Sequence, residues 1–145
     1  MSSQLENLFA LQLDYPDRKL SPNARGKWIL KEEARKLAKV EGYTSAHRAM
    51  ESQTFELSTA YAVDITFYPP DRRNRDIDNV FSSIKNHLDG ACQALGINDK
   101  SFKTFTLQFG EPVKDGRVEV KIRPVKSGDA VRVTERLINQ TQEQK

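Results

Sequence analysis

LSTAYAVDITFYPPDRRNRDIDNVFSSIKNHLDGACQALGIND, residues 57–99, changes its hydrophobic period partway along. From Leu57 the repeat is two. Tyr61, Val63, Ile65 and Phe67 share one side and Ala62, Asp64 and Thr66 the other, which predicts a strand. Pro69-Pro70 stops it. After Asp78 the apolar positions are Phe81, Ile84, Leu88, Ala91, Cys92 and Leu95, a three-and-four spacing that predicts an amphipathic helix with one buried stripe. Gly96 ends that helix as a C′ glycine. A strand passing to a helix through a charged turn is an α/β unit, and such turns often hold active-site groups.

The turn itself carries the chemistry. Asp76 and Asp78 are two residues apart, so in extended backbone just ahead of a helix their side chains leave on the same side and converge. Two anions that close call for a cation. Asp78 also suits an N-cap or first-turn position, where free amides and the helix dipole favour a carboxylate. At about 100° per residue, Lys85 and Asp89 return almost to the meridian of Asp78. Arg72, Arg73 and Arg75 stand directly before the pair, and Arg25, Lys27 and Lys31 form an earlier basic cluster. A basic rim around an acidic centre suits a metal-dependent enzyme acting on phosphodiesters. The plainer alternative is a capped helix whose aspartates pair with Arg72, Arg73 and Arg75 at the surface. Spacing leaves open whether Asp99 folds back toward Asp76.

Outward from this stretch, 145 residues predict one domain. Charged residues make up 30% and hydrophobic ones 37%, the net charge is +3 and the pI is near 9.0. No apolar run approaches the ~20 residues of a membrane span, and the N-terminus lacks the order of a signal peptide. The expectation is no membrane and a cytoplasmic site. One cysteine, Cys92, excludes an internal disulfide and a cysteine-built metal site, and reads as a core thiol.

Residues 5–15 alternate, with Phe9, Leu11, Leu13 and Tyr15 on one side, and predict an opening strand. Ser21-Pro22 predicts a cap for a helix from about Pro22 to Val40, stopped by Gly42, with Trp28 as a core anchor beside Ile29, Ala34, Leu37 and Ala38. A short second helical stretch follows within 43–56, with His47 at the surface. His87 is placed on the exposed face of its helix. Phe105, Leu107 and Phe109 predict a strand, Pro112–Gly116 a hairpin connection, and Val118, Val120 and Ile122 the last strand. The sum is an α/β (α+β) domain over 1–125, a small mixed sheet of about four strands with helices packed mainly on one face. Residues 126–145 read as a C-terminal extension, with a short helix within 129–138 and a disordered polar end.

Four segments together carry a resemblance: LSPNARGKW (20–28), YPPDRRNRDIDN (68–79), Lys85-Asn-His-Leu-Asp89-Gly90 and Gly96-Ile-Asn-Asp99. They resemble the RusA family of Holliday junction resolvases, phage- and prophage-associated endodeoxyribonucleases, over roughly residues 6–124. The resemblance implies a homodimer that binds four-way junction DNA and, with Mg²⁺ or Mn²⁺ in its place, nicks two strands symmetrically. It implies catalysis by Asp76, Asp78 and Asp99, also the metal ligands, with Lys85 stabilising developing charge. Asn79 would orient an aspartate or cap the helix, and the basic residues would hold DNA. The family's best-known member has two adjacent aspartates after the helix, where Lys100 follows Asp99 here, and its lysine stands about one helical turn nearer the acidic pair. Asp89 is therefore the reserve ligand. A catalytically inactive branched-DNA-binding phage protein and a less specific flap nuclease are the competing readings.

Overall fold

The computed structural model describes residues 8–125. Four strands form one sheet: β1 (Phe9–Leu13), β2 (Tyr61–Tyr68), β3 (Phe102–Phe109) and β4 (Arg117–Pro124), in the order β1-β4-β2-β3. β4 runs antiparallel to both β1 and β2, while β3 lies parallel to β2. Three helices accompany them: α1 (Trp28–Ser52), α2 (Ile77–Ser83) and α3 (Lys85–Leu95). This is an α+β fold with a mixed sheet. Alternation puts Phe9, Leu11, Leu13, Val63, Ile65, Phe67, Val118, Val120 and Ile122 in one core with Ile84, Leu88, Ala91 and Leu95 of the helical layer. Gln12, Thr106, Gln108 and Lys121 stand exposed between them along the strands.

The last strand departs from the hairpin expectation. Asp115 and Gly116 both have positive φ (65° and 71°) and make a tight turn, but β4 does not pair with β3. The linker instead passes the end of β2, with the Gly110 and Val113 amides donating to the Phe67 and Pro69 carbonyls at 2.9 Å each, and β4 enters between β1 and β2. Burial explains the choice. Val118, Val120 and Ile122 are almost wholly buried, whereas β3 exposes most of its residues and suits an edge.

α1 also differs from expectation. It does not begin at Ser21-Pro22, because Gly26 adopts φ +125°, outside helical backbone. It does not stop at Gly42 but runs 25 residues to Ser52, taking in the second helical stretch. Gly42 marks a close approach instead. A Cβ there would lie 1.9 Å from the His87 carbonyl oxygen, and one on Gly90 would lie 1.9 Å from that of Lys39, so α1 and α3 pack with backbones almost touching. The buried line of α1 is Ala34, Ala38, Gly42 and Ala46, small residues four apart. Trp28, Ile29 and Leu37 are therefore not core anchors; they are 69%, 58% and 70% exposed.

The predicted single helix after Asp78 is two. Ser83 donates its hydroxyl to the Asn79 carbonyl at 2.8 Å, a bond that competes with the helix ladder, and Ile84 leaves helical geometry at φ −104°, ψ 5°. His87 is buried rather than exposed because α1 packs directly against it, with its Nε2 3.3 Å from Glu41 and its carbonyl against Gly42. His47 is exposed, as expected. The C-terminal helix and disordered end expected within 126–145 lie outside the described residues.

Candidate active site

β2 ends at Tyr68, and the loop 69–76 is built by its own charges. Asp71 accepts the Arg73 amide at 3.0 Å and pairs with Arg75 at 2.8 Å and Arg73 at 3.2 Å. The Arg73 amide, then the Arg75 guanidinium, hold the Asp71 carboxyl below the usual carboxylate range. Arg75 also donates to the Asp71 and Arg73 carbonyls at 3.1 Å each and lies 5.7 Å over the Tyr15 ring. Its side chain is 19% exposed, so it clamps the loop. Arg72 and Arg73 remain outward, at 83% and 67%, with Arg72 paired only loosely to Glu111 at 3.6 Å. Together with Phe109, Gly110 and Pro112 this loop walls a recess of about 250 Å³.

Asp76 follows as the N-cap of α2. Its Oδ1 accepts the Asp78 amide at 3.0 Å, and Asp78 lies in the helix's first turn. The pair is therefore linked through a cap, not splayed from extended backbone, because helical geometry begins at Ile77. Both aspartates are exposed, and among the described residues no lysine or arginine forms an ion pair with either. The surface-pairing alternative is thus half right: Asp76 caps, but the neighbouring arginines are engaged by Asp71 and Glu111. Asn79 contributes its carbonyl to Ser83, while the cap it was expected to supply comes from Asp76.

Asp99 lies elsewhere. It opens a short 3₁₀ turn, Asp99–Ser101, directly before β3, whereas the loop preceding Asp76 meets β3 at its far end, Phe109. The expected Asp76, Asp78, Asp99 ligand cluster is not assembled. Among the described residues no three His, Cys, Asp or Glu side chains gather closely enough to hold a metal ion. Asp99 instead joins Lys85 and Asp89 around a second recess of about 250 Å³, floored by Phe81, Leu88, Phe102 and Phe105. Lys85 is exposed with its Nζ 5.7 Å from the Phe81 ring centroid, and Asp89 pairs with Lys39 of α1 at 3.3 Å. Beneath them, burial and then the Asp99 and Asp89 charges push the Cys92 thiol up to about 12.

The earlier basic cluster divides. Arg25 and Lys27 are exposed, Lys27 as the residue capping α1, while Lys31 donates to the Ala24 carbonyl and ties down the approach to the helix. Lys27 and Lys31 therefore do not form one phosphate-facing helix edge. Sequence reading missed the half-exposed Phe105 and Phe109, 40% each, at the two recesses. Their alternation marked them as core, and only their place on an edge strand leaves them open.

The donor chemistry at Asp76 and Asp78 is all oxygen, which suits Mg²⁺ through one or two carboxylates completed by water and substrate phosphate. A preformed three-carboxylate site does not fit these residues.

No helix among the described residues is long and apolar enough to cross a membrane. No protein-family model matches the chain. It is 33% identical over 119 residues to an "Uncharacterized protein" of Xylella fastidiosa (strain Temecula1 / ATCC 700964), across 81% of this chain and 78% of that protein. The chain belongs to the same family as that protein.

Proposed function

We propose that this chain is a cytoplasmic, Mg²⁺-dependent endonuclease of branched DNA that resolves four-way junctions as a homodimer. The observation that carries the reading is the exposed Asp76/Asp78 pair, which has no cationic partner among the described residues although three arginines precede it. Asp71 holds the arginine loop in place, so Arg72 and Arg73 can meet a phosphodiester beside carboxylates they do not neutralise. Asp76 and Asp78 would hold the cation together with the DNA phosphate, and the bound ion would neutralise phosphate charge and activate water. Asp76 keeps one oxygen on the Asp78 amide, which fixes its orientation. Lys85, exposed beside the Phe81 ring, would act as a positioned charge for the departing oxygen.

A second reading has its own support. The absence of a gathered three-acid group among the described residues favours a branched-DNA-binding protein without cleavage. Incubation of the protein with a mobile four-way junction and with linear duplex, each with Mg²⁺, separates the readings. Paired nicks in the junction alone support resolution. Binding without nicks supports the inactive reading, and equal cutting of duplex shows a less specific nuclease.

A further inference from the structure

The outward face of α1 carries an arrangement that the acidic centre does not use. At about 100° per residue, Ile29, Glu33, Lys36, Val40 and Tyr43 fall within about 40° of one line, opposite the buried Ala34, Ala38 and Gly42. Ile29, Val40 and Tyr43 are 58%, 62% and 45% exposed. A helix on a monomer normally presents polar residues there. The charges nearby are mostly satisfied within the chain: Glu32 pairs with Arg35 at 3.0 Å and Lys39 with Asp89 at 3.3 Å. Glu33 and Lys36 have no ion-pair partner among the described residues.

We propose that this face packs antiparallel against the same face of a second copy of the chain. With the two-fold axis at the level between residues 34 and 35, Ile29 meets Val40 of its partner and Glu33 meets Lys36 of its partner, each contact occurring twice. Apolar residue falls on apolar residue and acid on base, so the pattern complements itself in one register. The groove between α1 and α3, about 320 Å³ and lined by Lys36, Lys39, Val40, Tyr43 and Gln93, lies beside Val40 and receives the partner's Ile29. The surface gives the homodimer proposed above a definite face. It does not depend on the DNA reading, because its test reads mass alone.

The test is light scattering or sedimentation velocity on the full chain. Wild type is expected to be dimeric. E33K places lysine opposite lysine and K36E places glutamate opposite glutamate, so each single variant is expected to dissociate at least roughly tenfold more readily. Mixing the two single variants is expected to restore a dimer, as is the double variant E33K/K36E, because both recreate opposite charges. Circular dichroism melts confirm that each variant is folded. A monomeric wild type, a dimer indifferent to either reversal, or single variants that no mixture rescues would each overturn the proposal.

Discussion

Replacing Gly42 with alanine puts a methyl group where the structure has almost no space. The new Cβ would sit 1.9 Å from the His87 carbonyl oxygen and 2.6 Å from its carbon, both main-chain atoms that no rotamer change can move. Relief requires α1 and α3 to separate by more than an ångström, which opens the interface holding Gly90 against Lys39 and the His87–Glu41 contact. Overpacking of a tight core costs about 1–3 kcal/mol, here near the upper end because the obstacle is backbone. Alanine returns about 1 kcal/mol of helix propensity. A net loss of about 2 kcal/mol lowers the melting temperature by about 4–8 °C for a chain of this length. Thermal denaturation followed by circular dichroism at 222 nm reads it directly. An unchanged or raised melting temperature would refute the close approach. Gly90→Ala, facing the Lys39 carbonyl at the same distance, should behave alike.

Three further outcomes follow from particular side chains. With its thiol pushed up to about 12, Cys92 is ionised in roughly one molecule in ten thousand at pH 8, so Ellman's reagent should leave the native protein unlabelled and react promptly in denaturant; fast native labelling would contradict its burial. Burial tends to raise Glu41, but hydrogen bonds from His87 and the Asp14 amide outweigh it and hold the carboxyl low. A depressed folded-state value stabilises above the ordinary carboxylate range and is lost as pH falls through that value, so the stability gap between wild type and Glu41→Gln should close as the pH falls through and below the ordinary carboxylate range; a gap that widens on acidification would reverse the sign. Lys85→Ala should slow junction cutting about 10²-fold while gel-shift binding persists, and undiminished turnover would mean that another lysine serves.

Local patterns in the sequence were a sound guide to the strands and to the buried stripe of α3, but they put Trp28, Ile29 and Leu37 inside and His87 outside, and the structure reverses all four. The two-residue repeat of Tyr61 to Phe67 and of Val118 to Ile122 appears as buried alternation, and the stripe Ile84, Leu88, Ala91, Cys92 and Leu95 is buried. Non-local choices were not legible. Nothing near Asp115-Gly116 says that the following strand will leave its neighbour and enter between β1 and β2, because that depends on competing burial across the whole sheet. Gly42 reads as a stop when its neighbours in space are unknown, since the same missing Cβ serves a C′ turn or a helix crossing. The Ser83 hydroxyl bond that divides α2 from α3 is local, but where Asp99 comes to rest is set by β3, which runs parallel to β2 and starts at the end away from the Asp76 loop. That is why the expected acidic cluster separated into two places.

The most direct measurement is the rate of Mg²⁺-dependent nicking of a mobile four-way junction by wild type and by Asp76→Asn, with junction affinity measured alongside. If the exposed acidic pair receives the cation with the DNA, wild type nicks the junction, and the variant binds it with similar affinity but cuts it at least about 10²-fold more slowly. Equal cutting by the two proteins would contradict that role for Asp76, and a wild type that binds and never nicks would leave the chain a DNA-binding protein without nuclease activity.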